Sequence, residues 1–249
     1  RAVHEANAVP GLANRAAAAL GAELLWGLPP TQGQGRLTGT PIRAALWSRG
    51  DAAAARQKLG LDALKTTALV FGGSQGARGL NRAAPTALAK AAQASPHHLQ
   101  VLHLAGRANG PEVEAAYRGA PLEAKVLPFL DAMELAYAAA DLVVCRSGAG
   151  TIAELAAQRA PAVLVPFPSA AGNHQEINAR VMERAGACRV LLERDLGDRL
   201  SGMLEELLLS QPGAGARRAM AQGYDQLNLP PPERCAETLA DFVETLSEK

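Results

Sequence analysis

Long apolar runs, aromatic residues and organised cysteines are all scarce in these 249 residues. No apolar stretch approaches the roughly 18 residues that a membrane-spanning helix requires, and peripheral contact with a membrane surface stays open. Four Phe, three Tyr and two Trp offer little for base stacking, and a formal charge of +1 gives no electrostatic footprint for phosphate backbones. Nucleic acid is therefore not an expected partner. The three cysteines, Cys145, Cys188 and Cys235, are odd in number, far apart and without CxxC or His-flanked spacing. That pattern supports neither a disulfide framework nor a zinc site and suits a reducing compartment. Cys145 and Cys188 fall in apolar runs, where buried and inert thiols are expected.

Further absences concern nucleotides. Lysine does not follow the glycines of the Gly72-Gly73-Ser74-Gln75-Gly76-Ala77 stretch, as a P-loop would need. No Asp or Glu occurs between Asp62 and Glu112, so a dinucleotide fold would lack the acidic anchor for its adenosine ribose. There is no D-x-D to hold a metal on a nucleotide diphosphate. Phosphate charge would then be met by helix ends, backbone amides and arginine.

What is present is an ordinary globular composition, 48% hydrophobic and 20% charged. Short aliphatic runs at 68–71, 99–104, 125–127, 142–145, 162–165 and 189–192 alternate with helical patterns at 77–94, 111–117, 131–139, 151–159, 175–185 and 195–209. Near-continuous apolar strands separated by helices imply a parallel sheet covered on both faces. The fold class expected is α/β, a doubly wound, Rossmann-like parallel sheet of six strands. Ahead of it, the opening residues read as a strand running into a loop, so the chain is expected to begin in mid-fold. An Ala-rich helix follows at 13–20, and the Gly-, Pro- and Thr-rich stretch 27–41 reads as a linker. Leu229-Pro-Pro-Pro232 precedes a final amphipathic helix, 233–246.

Two glycine turns leave carboxyl ends of strands, where open α/β sheets bind ligands. In Gly72 to Ala77, glycine lets N–H groups approach a phosphate and Ser74 adds a hydroxyl; a tight turn without a ligand is the competing reading. In Arg146-Ser-Gly-Ala-Gly-Thr-Ile-Ala-Glu154, Thr151 is expected to open a helix. Glu154 would stand in its first turn, either accepting from the two hydroxyls of a ribose or completing a Thr151-x-x-Glu154 capping box. Asp131 and Glu134 present a second capping-box pattern.

These motifs occur in the order that characterises the MurG family, the N-acetylglucosaminyltransferases that convert lipid I to lipid II in peptidoglycan synthesis. The chain resembles that family in His4-Glu-Ala-Asn-Ala-Val-Pro-Gly11, Gly39-Thr-Pro-Ile-Arg43, Gly72 to Ala77, Arg146 to Glu154, and the run from Ala171 to Ala179. It departs at Ala6, Thr40 and Gly172-Asn173, where the family carries Gln, Asn and an acidic pair.

The resemblance implies the C-terminal half of a GT-B glycosyltransferase. Residues 1–43 would be the tail of an N-terminal acceptor domain and its linker, 44–228 the donor domain, and 229–249 a helix returning towards the first domain. It implies a UDP-N-acetylglucosamine donor and a lipid I acceptor. No cofactor or metal is implied. Location would be at the cytoplasmic face of the bacterial inner membrane, with contact made through an N-terminal domain.

Residue by residue, the Leu130 main chain would read uracil and Glu154 the ribose. Ser74 and the amides of Ala149, Gly150, Thr151, Ile152 and Ala153 would meet the pyrophosphate. Arg43 and Asn7 would approach from the interdomain side, and Gln175 would bind the sugar hydroxyls. The catalytic base is expected outside this chain. Two other readings remain at this stage: a donor-binding module inactive without a separate acceptor domain, and another UDP-sugar enzyme such as an epimerase.

Overall fold

The computed structural model describes residues 1–73, 76–95 and 97–247. Its first part is a small parallel sheet of three strands, β1 (Ala2–Glu5), β2 (Glu23–Trp26) and β3 (Arg36–Leu37), in that order, with helix α1 (Leu12–Ala19) connecting the first two. The stretch read as a plain linker thus contains a strand. Two residues are too few for a hydrophobic period to show, and β3 is held instead by pairing with Leu25 and Trp26. Beyond it, the amides of Thr38 and Gly39 both donate to the Trp26 carbonyl.

Helix α2 (Ala52–Lys58) was not read from its alanines; Asp51 caps it, accepting from the Ala54 amide at 2.7 Å. Arg56 on this helix reaches Asp141 at 2.7 Å and the Ala139 carbonyl at 2.9 Å. Asp141 also accepts from the Thr67 amide, so one carboxylate joins α2 to the amino ends of two central strands.

From there strands and helices alternate: β4 (Thr66–Phe71), α3 (Arg78–Ala92), β5 (Leu99–Leu104), α4 (Gly110–Ala116), β6 (Glu123–Leu127), α5 (Met133–Ala139), β7 (Leu142–Cys145), α6 (Ala149–Gln158), β8 (Ala162–Leu164), α7 (His174–Arg184) and β9 (Cys188–Val190). All six strands expected from the apolar runs form, in one parallel sheet of order β6-β5-β4-β7-β8-β9. The sheet divides its side chains by parity. Leu69, Phe71, Leu102, Leu104, Val143 and Cys145 enter the core under α5, α6 and α7. Ala68, Val70, Val101, Leu142 and Val144 enter the core under α3 and α8 (Leu196–Leu209). Each of the leucine, valine and phenylalanine side chains contributes about 1.5–3 kcal/mol on burial, and both faces are covered as a parallel sheet requires.

Helix α9 (Gln211–Gly223) escaped the sequence reading because its first turn is rich in glycine. Ser210 caps it through the Gly213 amide at 3.0 Å, and Gly213 is required, since a Cβ there would lie 2.0 Å from the Glu206 carbonyl oxygen. The last helix, α10 (Pro232–Ser247), lies against the small sheet: the Arg36 guanidinium stands 5.8 Å from the centre of the Phe242 ring. Among the described residues, no helix is long and apolar enough to cross a membrane.

Candidate functional site

In this strand order the connections from the two central strands leave in opposite directions. A crevice therefore opens between the carboxyl ends of β4 and β7. The glycine turn after β4 forms one wall. Gly72 has no room for a side chain, as a Cβ would fall 2.2 Å from that of Ala77. Gly76, at φ +75°, packs 2.3 Å from the Ala105 carbonyl by the same measure. Both glycines are thus fixed by close approach of the neighbouring chain. Ser74, expected to meet phosphate, lies outside the described residues.

The Ala105 carbonyl beneath Gly76 is itself fixed, accepting from Asn81 at 2.7 Å and Asn109 at 3.2 Å. Asn81 Oδ1 pairs with His103 Nε2 at 3.1 Å, and His103 Nδ1 with the Tyr117 hydroxyl at 2.9 Å. With Asn81 Nδ2 donating to Ala105, its Oδ1 must accept, so His103 carries its proton on Nε2 and accepts a hydrogen bond from the Tyr117 hydroxyl at Nδ1. Burial pushes the imidazole down to about 4, consistent with a neutral ring.

The other wall is the turn from β7 into α6, and here the capping-box reading is overturned. The helix starts two residues earlier than expected, with Gly148 in extended geometry as its N-cap and no side-chain cap. Thr151 is already inside the first turn and Glu154 in the second, so they cannot cap one another. The first intrahelical bond runs from the Ile152 amide to the Gly148 carbonyl at 2.9 Å. The amides of Ala149, Gly150 and Thr151 therefore precede the ladder and are the ones able to face an anion at the positive helix end. Ile152 is spent in the helix, and Ala153 lies one residue deeper. Ala153 instead lines a separate cavity of about 390 Å³, bounded by Thr40, Ile42, Tyr224 and the prolines 230–232. The Asp131–Glu134 capping box is likewise absent: α5 has Ala132 as N-cap, and it is the Asp131 carbonyl that accepts from Met133.

Glu154 projects from α6 towards α5, where Oε2 accepts from the Tyr137 hydroxyl at 2.8 Å. Burial lifts its carboxyl above the ordinary range, opposed by that hydroxyl and by the charge of Arg43. Arg43 is exposed and donates to the Asp131 carbonyl at 3.0 Å, which ties residues 39–43 to the loop before α5. Leu130, in that loop, packs its side chain against the core and leaves its main chain as the group available to a ligand. Arg43, Leu130, Tyr137 and Glu154 thus come together from four separate segments.

Gln175 stands in the first turn of α7, where Oε1 accepts from the Phe167 amide at 3.0 Å and its own carbonyl accepts from the Ser147 hydroxyl at 2.8 Å. It is not a freely solvated side chain. One turn on, buried Asn178 donates to the Ser147 carbonyl at 3.3 Å and to Asn7 Oδ1 at 3.0 Å, and accepts from the Ala8 amide at 2.9 Å. Asn7 also donates twice to Glu5, so its amide is a structural bridge as much as a free binding group. Burial acts to raise the Glu5 carboxyl, but donors from Gly11, Asn7 and Asn14 hold it below the ordinary range. Tyr137, Asn178 and Glu5 had no assigned role from sequence. The latter two stand inside the matching motifs, which was the available signal; Tyr137 had none beyond its position on an apolar helix. Arg146, the first residue of its motif, is buried and structural, paired with Glu193 at 2.5 Å and donating to the carbonyls of Val165 and Pro166.

The arrangement offers a helix end for an anion, a half-buried carboxylate for hydroxyl groups and an amide fixed at the start of α7. Residues 67–226 match the model of the glycosyltransferase family 28 C-terminal domain. Two similar proteins are named UDP-N-acetylglucosamine--N-acetylmuramyl-(pentapeptide) pyrophosphoryl-undecaprenol N-acetylglucosamine transferase. That of Elusimicrobium minutum is 37% identical over 98% of this chain and 67% of its own length. That of Halorhodospira halophila is 44% identical over 88% of this chain and 59% of its own. The crystal structure of Acinetobacter baumannii MurG superposes with a TM-score of 0.77 at 26% identity, covering 97% of this chain and 65% of the other. This chain therefore spans about three fifths to two thirds of the length of these relatives, and its six-stranded sheet is the C-terminal domain of a GT-B glycosyltransferase. The chain belongs to glycosyltransferase family 28.

Proposed function

We propose that this chain holds the donor UDP-N-acetylglucosamine for transfer of N-acetylglucosamine to the C4 hydroxyl of the N-acetylmuramyl group of lipid I. The observation that carries this reading is the open α6 N-terminus after β7, with Ser147 before it bonded to the Gln175 carbonyl and Glu154, further along α6, bonded to the Tyr137 hydroxyl. In this reading the amides of Ala149 to Thr151 take the pyrophosphate and the Leu130 main chain takes the uracil edge. Glu154 takes the ribose and Gln175 the sugar hydroxyls. Arg43 approaches from the segment that leads to the small sheet. As UDP leaves, its growing charge is stabilised by preorganised amides that need no reorganisation. The transfer would be inverting, since the acceptor hydroxyl displaces UDP at the anomeric carbon in one direct step, and metal-independent, with helix-end amides and arginine in place of a metal-holding D-x-D pair.

Residues 1–43 and 229–249 would belong to, or return to, an acceptor-binding part, which also supplies the base and contact with the cytoplasmic face of the membrane. A second reading is a donor-binding module that is inactive until a separate acceptor domain is added. Calorimetric titration of UDP, UDP-N-acetylglucosamine and NAD into the chain tests the first reading. UDP and its sugar are expected to bind, with Glu154→Gln weakening UDP by about 10- to 100-fold; equal binding of NAD overturns it. Transfer to lipid I by the chain alone would reject the second reading, and activity only after adding a separate N-terminal fragment would support it.

A further inference from the structure

Tyr137 is fully buried, and among the described residues its hydroxyl is bonded to Glu154. Its ring meets Phe71 edge-on, with centroids 6.0 Å apart and planes at 82°, and Phe71 is the last residue of β4 before the glycine turn. One side chain on α5 therefore touches the root of one wall of the crevice and the carboxylate of the other. A glutamate's terminal torsion is broad, so the orientation of a half-buried carboxylate is set by whatever donor is fixed beside it. The hydroxyl at 2.8 Å supplies that donor to Oε2 and leaves Oε1 as the oxygen that Tyr137 does not engage.

We propose that Tyr137 is a positioning residue that sets the Glu154 carboxylate so that the site selects nucleotides with an intact ribose diol over 2′-deoxy nucleotides. This rests on the donor reading above. A site built to hydrogen-bond a hydroxyl rejects the analogue lacking it because its own buried group is left unpaired, and that rejection depends on the group being held in place. Removing the Tyr137 hydroxyl frees the carboxylate to rotate, so the penalty against the deoxy nucleotide shrinks. A general loss of packing would instead weaken both nucleotides alike.

The test is titration of UDP and 2′-deoxy-UDP into the wild-type chain, Tyr137→Phe, Glu154→Gln and the double variant, with thermal unfolding confirming that each is folded. Wild type is expected to prefer UDP by about tenfold or more. Tyr137→Phe is expected to lose several-fold of that preference while its affinity for 2′-deoxy-UDP stays within about twofold. The double variant should match Glu154→Gln alone. A Tyr137→Phe chain with the wild-type preference, or with both nucleotides weakened equally, overturns the proposal while leaving the donor reading intact. Failure of the wild type to bind either nucleotide overturns both.

Discussion

Asn178 Nδ2 donates to Asn7 Oδ1 at 3.0 Å across 171 positions of sequence. The same buried amide receives the Ala8 amide proton and reaches the Ser147 carbonyl. It therefore locks the loop after β1 onto the turn that leads into α6. The relative placement of Asn7 and the α6 amides rests on this side chain together with the packing of Ala8 into the core.

Asn178→Ala should be among the more costly substitutions near the site. It strands the Ala8 amide and the Asn7 oxygen, and an unsatisfied buried group costs about 1–3 kcal/mol. Chemical denaturation should show a loss of about 2–4 kcal/mol. Asn7→Ala, which leaves the Ala8 and Ser147 bonds in place, should lose less than half as much. Equal losses would show that the bridge is not centred on Asn178.

Gln175→Ala separates sugar recognition from nucleotide recognition. Its side chain is held by the Phe167 amide and placed beside the α6 turn through Ser147. Affinity for UDP-N-acetylglucosamine should fall by about tenfold, near 1.4 kcal/mol, while UDP binds within about twofold of wild type. Competition titration checks this, and parallel losses for both ligands would assign Gln175 to folding alone.

Acid should weaken the fold through His103. In the native chain burial pushes its imidazole down to about 4, whereas an unfolded histidine titrates near 6.5. Between those values the unfolded chain binds a proton that the native one refuses. This contribution is therefore complete above about pH 6.5 and is lost as pH falls towards 4, by up to about 3 kcal/mol. His103→Gln should flatten the slope of unfolding free energy against pH across that window. An unchanged slope would place the acid sensitivity elsewhere.

The sheet was legible because buried parallel strands leave short apolar runs that survive any change of detail, and all six runs became strands. Elements without such a pattern were not. Strand β3 is only two residues long, and α2 and α9 depend on the caps Asp51 and Ser210 more than on an apolar face. The start of α6 was misplaced because Thr151 and Glu154 have the residue types of a cap, while the backbone places the cap at Gly148. Moving the start by two residues took the Ile152 amide into the helical ladder, left those of Ala149 to Thr151 ahead of it and put Glu154 in the second turn.

By itself the sequence determined the layering, the two glycine turns at strand ends and the types of group that face the crevice. Those properties are local: periodic burial, absent side chains and residue chemistry at fixed spacing. Tertiary structure alone decided which of those groups remain free. Asn7 is partly spent on Glu5 and Asn178, and Arg146 on Glu193, while Glu154 keeps one oxygen beyond Tyr137. A hydrogen-bonding group can serve a ligand only where the fold has not already satisfied it, and that depends on partners far away in the chain.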